Sequence, residues 1–127
     1  MSYDEEQAEK IRRTLKRLPL DQGEELSERK MFGGLCFLLN GKMLMGVGKD
    51  RIMLRLDANE YQNALRAGFV TPMDFTGKPL ANFAYLSPSV CVSDDRLLEW
   101  AQKSLRFVRE NMLAKPEREV KRETNSF

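Results

Sequence analysis

Apolar residues recur every three or four positions near the N-terminus of the chain. These positions are Ala8, Ile11, Leu15 and Leu18. Because this spacing places them on one stripe of an α-helix, it predicts an amphipathic helix over residues 3–18. Acidic residues crowd the start of this segment and basic residues its end, which is the charge order that the helix dipole favours. Pro19 is expected to end the helix.

The stretch that follows predicts three antiparallel strands. Residues 31–39 form an apolar run interrupted by Gly33-Gly34, where a bulge or a close backbone approach is expected. Asn40-Gly41 is the preferred pair for a two-residue type I′ turn, so residues 42–47 are the second strand. The third strand, residues 51–56, alternates between two faces. One face carries Ile52, Leu54 and Leu56, and the other carries Arg51, Met53 and Arg55.

The second half of the chain predicts helix, two strands and a last helix. Asp57 resembles an N-cap and Gly68 a helix terminator. Residues 70–75 and 81–86 are expected to be strands, and a helix begins after the N-cap Ser93 and runs to about residue 113. The order α-β-β-β-α-β-β-α predicts an α+β fold. We expect a five-stranded antiparallel sheet with the helices packed on one face and the other face wet.

The length of 127 residues predicts one domain, over residues 1–114. Residues 115–127 are charged and nearly devoid of apolar side chains, which predicts a disordered tail. The N-terminus lacks the basic and apolar regions of a signal peptide, and no apolar run is long enough to cross a bilayer. A cytoplasmic protein with no membrane partner is therefore expected.

The composition excludes several classes of enzyme. The chain has no histidine, and therefore no Ser-His or Cys-His pair and no imidazole ligand for zinc or haem. Its two cysteines, Cys36 and Cys91, cannot fill a tetrahedral zinc site and are interpreted as small buried hydrophobes. We expect no catalytic residues, no metal and no cofactor. With 21 basic and 19 acidic residues, the net charge of +2 lacks the large basic excess that dedicated nucleic-acid-binding domains usually carry, which weakens that interpretation.

Arg55 interrupts an apolar strand, and three interpretations of it stay open. It is solvated if its face of the sheet is wet. Otherwise it has a buried carboxylate partner, or it presents its guanidinium fork to an anionic ligand or partner.

The string Arg29-Lys30-Met31-Phe32-Gly33-Gly34 adds a resemblance to a known family. Together with the strand Leu54-Arg55-Leu56 and a glycine-containing hairpin between them, it resembles the N-terminal domain of the TfoX/Sxy family of bacterial competence regulators. The resemblance covers about residues 8–111. It implies an α+β fold similar to the secretion-chaperone-like architecture, and it brings no catalytic residues. The interaction candidates that it implies are Arg29, Lys30, Met31, Phe32, Gly33, Gly34 and Arg55.

The resemblance also implies a role in regulating transcription. Full-length members carry a helical C-terminal domain, and the residues after Leu113 are too few to form one. The leading hypothesis is therefore a non-enzymatic regulatory or protein-interaction domain that lacks this second domain. An exposed sheet edge and an uncovered face also predict a homodimer.

Two alternatives remain. The first is a nucleic-acid-associated protein that uses the basic residues of the first helix, the Arg29-Lys30 segment and basic positions of the tail. The second is a small enzyme with Cys36 or Cys91 as a low-pKa thiolate.

Overall fold

The computed structural model describes residues 3–31, 33–49, 51–74, 79–90 and 93–112. Within these ranges lie three α-helices and one antiparallel sheet of six strands, which confirms the α+β class. The helices are α1 (Glu5–Leu15), α2 (Ala58–Ala67) and α3 (Asp94–Asn111). The strands are β1 (Leu26–Met31), β2 (Gly34–Leu39), β3 (Lys42–Val47), β4 (Ile52–Arg55), β5 (Val70–Asp74) and β6 (Pro79–Leu86).

Each helix begins at a short polar side chain. That side chain accepts a hydrogen bond from a backbone N–H that has no partner within the helix. The carboxylate of Asp57 accepts a hydrogen bond from the N–H of Glu60 at 2.7 Å, and the hydroxyl of Ser93 accepts one from the N–H of Arg96 at 3.1 Å. Both predicted N-caps are confirmed. Gly68 ends α2 with a φ of 80°, as a left-handed terminator should.

The sheet has six strands because a strand that the sequence pattern did not predict, β1, precedes the predicted first strand, which corresponds to β2. Gly33 has a φ of +73°, so the chain reverses there instead of bulging, and β1 and β2 pair on either side of it. A Cβ on Gly34 would lie 2.2 Å from the carbonyl oxygen of Val47, so only glycine fits against β3 at that point. The sequence pattern missed β1 because four of its six residues, 27–30, are polar and exposed.

The strand order is β1-β2-β3-β4-β6-β5, with every neighbouring pair antiparallel. The predicted meander is thus confirmed as β2-β3-β4. All three helices contribute to the main core on one face of the sheet, as expected. Among the described helices, none is long and apolar enough to cross a membrane.

The second face of the sheet was expected to be wet, and this expectation is wrong. A separate cluster of buried side chains lies there, each at most 3% exposed: Cys36, Leu38, Met43, Met53 and Met73. A Cβ on Gly46 would lie only 3.0 and 3.2 Å from the Cε atoms of Met53 and Met43. The absent side chain of Gly46 therefore leaves room for two flexible methionines to lie over the centre of this face.

Candidate functional site

Strand β1 forms one outer edge of the sheet, since β2 is its only neighbour among the described strands. Its residues 27–30 are all exposed. An edge strand directs alternate backbone N–H and C=O groups away from the sheet, where another extended chain can pair with them. The opposite edge, β5, carries Pro72, which has no N–H to donate. Strand β1 is therefore the better edge for adding a strand.

Helix α1 is joined to this edge by Arg12. Its guanidinium donates to both carboxylate oxygens of Glu28, at 2.6 and 2.9 Å, and to Glu9 at 2.6 Å. The same group lies 6.0 Å from the centre of the Phe37 ring. The hydrogen bond from Arg12 holds the pKa of the Glu28 carboxyl below its usual range. This bidentate pair fixes the distance between the helix and the strand.

A groove of about 210 Å³ runs between α1 and β1. Leu15, Leu26 and Phe37 contribute its apolar lining, and Arg12, Lys16 and Glu28 contribute charged groups. Side chains of an added strand alternate between the two faces of the sheet. Those on the helix face would lie next to this groove.

The residues of the Arg29-to-Gly34 string have two different roles. Arg29 and Lys30 are exposed on β1, and neither forms an ion pair with a described residue. Met31 is half-buried against the second-face cluster. The two glycines shape the β1–β2 reversal, as described above, and Phe32 lies outside the described residues.

Arg55 does not join this edge. It lies on β4, three strand spacings from β1, which is a distance of about 14 Å across the sheet. Its guanidinium stacks on the Phe83 ring, 4.5 Å from the ring centre, and donates to the sulfur of Met112. Its Nε is buried and has no hydrogen-bond partner. Burial lowers the pKa of Arg55, and no described carboxylate pairs with it.

The basic residues of α1 are largely matched by acidic ones. Besides the Arg12 pairs, Arg13 lies 3.2 Å from Asp94 and Arg17 lies 3.1 Å from Asp95. These pairs tie α1 and the turn that follows it to the start of α3. They reduce the free positive charge that this part of the surface could offer to nucleic-acid phosphates. The tail positions of this alternative lie outside the described residues.

Cys36 lacks both the exposure and the lowered pKa of a nucleophilic thiol. It is fully buried in the second-face cluster, and this burial raises its pKa to about 11. A thiol of this kind is almost entirely protonated at neutral pH. Cys91 lies outside the described residues. No group of residues in the described part of the chain has the composition of a metal site.

The sequence pattern missed the residues that line the groove. Arg12 meets Glu28 across 16 positions of the chain, and Leu15 faces Phe37 only because α1 folds back over the sheet. No local motif marks such a contact. The polar run of residues 27–30 is the one available signal, because a charged edge strand is a common protection against aggregation.

The fold defines a small α+β domain whose antiparallel sheet has all three described helices on one face and an open, basic edge. A family model described as the TfoX N-terminal domain matches residues 19–108, well over half of the chain. The chain belongs to the TfoX N-terminal domain family, and the resemblance drawn from its sequence is confirmed. Comparison with curated proteins found no match.

Proposed function

We propose that this chain is a non-enzymatic regulatory domain that acts by binding an extended, acidic segment of another protein along β1. The exposed edge of β1 is the observation that carries this proposal. Membership of the TfoX N-terminal domain family supports a competence-regulator-like role. Its place of action is the bacterial cytoplasm, in the control of transcription.

Strand addition explains how the edge recognises its partner. The main chain of the bound segment forms hydrogen bonds with the outer groups of β1, and these bonds supply affinity without regard to sequence. Every second side chain of the segment faces the α1–β1 groove, whose Leu15 and Phe37 accept an apolar residue. Arg29, Lys30 and the groove residue Lys16 favour carboxylates in the bound segment.

Photo-crosslinking from β1 tests this proposal. A photoreactive amino acid replaces exposed Ser27 in cells that produce the chain, and the adducts are identified by mass spectrometry. The matched control replaces Gln62, which is exposed on α2, the helix that packs over the far strands β5 and β6. We expect discrete protein adducts from position 27 that are absent from position 62. The same adducts should weaken when Arg29→Glu and Lys30→Glu are introduced together.

Equal crosslinking from the two positions, or adducts that ignore the charge reversal, would overturn the proposal. An adduct with a second copy of the chain would make β1 the interface of the predicted homodimer, and would overturn the assignment of β1 to a different protein. The homodimer itself stays a prediction, which light scattering across a concentration series checks.

A further inference from the structure

The hydrogen bonds between β1 and β2 show which backbone groups of β1 face outward. The N–H of Asn40 donates to the carbonyl of Glu25 at 3.0 Å, directly before the register pairs of the two strands begin. In an antiparallel pair, residues whose N–H and C=O face the partner strand alternate with residues whose groups face away. Since Glu25 faces β2, the outward groups belong to Leu26, Glu28 and Lys30.

The reversal at the other end of β1 gives the same result. Met31 and Gly34 are the innermost pair of the β1–β2 hairpin, on either side of the reversal at Gly33. The innermost pair of so tight a hairpin is hydrogen-bonded, so Met31 faces β2 and Lys30 faces away from it. Both ends of the strand therefore assign the same outward groups, to which an added strand would bond.

The side chains of β1 have a polarity along the strand. Near its start, Leu26 contributes to the apolar lining of the α1–β1 groove. In the middle, Glu28 is neutralised by the two hydrogen bonds from Arg12. Arg29 and Lys30 follow, both exposed and neither in an ion pair with a described residue. An added strand therefore meets an apolar contact at one end of β1 and two cations near the other.

The two cations lie on different faces of the sheet. Glu28 pairs with Phe37 of the main core, whereas Arg29 pairs with Cys36 of the second-face cluster. Because side chains change face at every residue of a strand, Lys30 shares the helix face with Glu28. The residues of an added strand alternate in the same way, so two adjacent carboxylates reach both cations.

A second copy of the chain is a poor occupant of this edge. Two antiparallel copies of β1 overlap most when their pairing is centred on Glu28 or on Arg29. Either centre places that residue directly opposite the same residue of the other copy, and like charges directly opposite each other destabilise a sheet. A different chain with complementary charges therefore matches the edge better.

We propose that the partner segment runs antiparallel to β1 and carries two adjacent acidic residues followed, after two further residues, by a large apolar one. Read from its N-terminus, its acidic residues lie opposite Lys30 and Arg29. The next two lie opposite Glu28 and Ser27, and the apolar one lies opposite Leu26, beside the groove. Every other pair in the sheet is antiparallel, and this direction gives the more stable ladder. This sequence preference rests on the proposed function and makes it specific.

Two synthetic peptides of identical composition test the direction and the register. One contains Asp-Glu-Thr-Thr-Phe between flanking serine and threonine residues, and the other contains the reverse order. NMR titration of the isotope-labelled full chain measures both affinities. The same spectra follow amide hydrogen exchange along β1.

Amide exchange tests the assignment of the outward groups. In the free chain, the N–H groups of Leu26, Glu28 and Lys30 should exchange faster than those of Ser27 and Arg29, which are bonded to β2. The first peptide should slow exchange at the three outward groups. Fast exchange at Ser27 and Arg29 in the free chain would overturn the inference.

Affinities test the order of the charges. We expect the first peptide to bind at least about fivefold more tightly than its reverse, and Lys30→Glu to weaken it by about fivefold. Replacing the peptide's Asp by Lys should restore binding to Lys30→Glu. Arg66→Glu is the control and should change affinity less than about twofold, because Arg66 is exposed on α2, over the far strands β5 and β6. Thermal unfolding checks that both variants retain the fold.

Equal or tighter binding of the reversed peptide would overturn the direction, and failure of the charge exchange to restore binding would overturn the register. In either case, slowed exchange at β1 would leave the proposed function standing with a different sequence preference. If neither peptide binds, the inferred sequence is wrong, and crosslinking from Ser27 decides the proposed function separately.

Discussion

The guanidinium of Arg55 lies over the ring of Phe83, 4.5 Å from its centre; Phe83 is the direct partner of Arg55 across the β4–β6 pair, and no described carboxylate accompanies the guanidinium. A cation in this position gains about 0.5–2 kcal/mol from the ring. It also loses hydration, because its Nε is buried without an acceptor. The alkyl part of Arg55 still covers the second face of the sheet. Packing and charge therefore make opposite contributions at this position.

This balance predicts that Arg55→Met is neutral or stabilising. Methionine retains an unbranched apolar chain over Phe83 and removes the poorly hydrated charge. Arg55→Ala should instead lower the free energy of unfolding by about 1–2 kcal/mol, because it uncovers the ring. Urea unfolding followed by the fluorescence of Trp100, the chain's single tryptophan, measures both. A loss of stability in Arg55→Met as large as in Arg55→Ala would show that the charge itself is required.

Gly34 is predicted to tolerate no side chain. A methyl group there would lie 2.2 Å from the carbonyl oxygen of Val47, which belongs to the backbone of β3 and cannot move away without disturbing the β2–β3 pair. Gly34→Ala should therefore cost at least about 2 kcal/mol of stability. Gly48→Ala is the matched control, since its nearest atom would lie 4.0 Å away, and it should change stability by less than about 0.5 kcal/mol. If thermal unfolding showed equal losses of stability in Gly34→Ala and Gly48→Ala, the close approach of β2 and β3 at Gly34 would be contradicted.

The pair between Glu24 and Arg109 predicts a pH-dependent part of the stability. The guanidinium of Arg109 donates to both oxygens of Glu24, at 2.8 and 2.9 Å, and its hydrogen bonds hold the pKa of Glu24 below the ordinary 4.5. A carboxyl whose pKa is lowered by folding stabilises the fold above its unfolded value. This stabilisation is lost as the pH falls through the folded pKa.

Glu24→Gln should therefore lower the free energy of unfolding at pH 7 by about 1–2 kcal/mol. The difference from the wild-type chain should shrink below pH 4.5 as the wild-type carboxyl becomes protonated. Urea unfolding across this pH range measures it. Glu25→Gln is the control, because the exposed carboxylate of Glu25 forms no ion pair with a described residue. A difference in the free energy of unfolding that stays constant across this pH range would show that the effect does not depend on the ionisation of Glu24.

Cys36 is predicted to be unreactive in the folded chain. Burial raises the pKa of its thiol to about 11 and keeps reagents away from it. In a Cys91→Ser variant, a thiol reagent at pH 8 should label Cys36 only at the rate at which the protein unfolds. Labelling should become immediate in denaturant. Rapid labelling of the native variant would revive the small-enzyme alternative for this residue.

The starts of α2 and α3 and the end of α2 were predictable from the sequence because their causes are local, whereas α1 ends at Leu15 and not at the predicted residue 18. Asp57 and Ser93 each accept from a backbone N–H three residues further on, and Gly68 terminates α2 through its own φ. The alternation of β4 was predictable for the same reason, since side chains on a strand change face at every residue. Its face assignments are confirmed by the two clusters that contain Leu54 and Met53.

Strand β1 shows where local patterns stop being informative. Its polar residues have no alternation to detect, and it becomes a strand because Gly33 turns it back along β2. The second face of the sheet was misjudged for a related reason. Methionines can be exposed or buried, and Gly46 decides the outcome here by leaving room for them.

The sequence by itself thus determined the helices, the meander, the α+β class and the family. These depend on spacings of a few residues, which backbone geometry converts directly into structure. Only the tertiary structure decided which residues share a surface. It separated Arg55 from Arg29, joined Arg12 to Glu28, and placed Phe69 against Trp100. Contacts between distant parts of the chain depend on how elements pack, and a one-dimensional pattern carries little of that information.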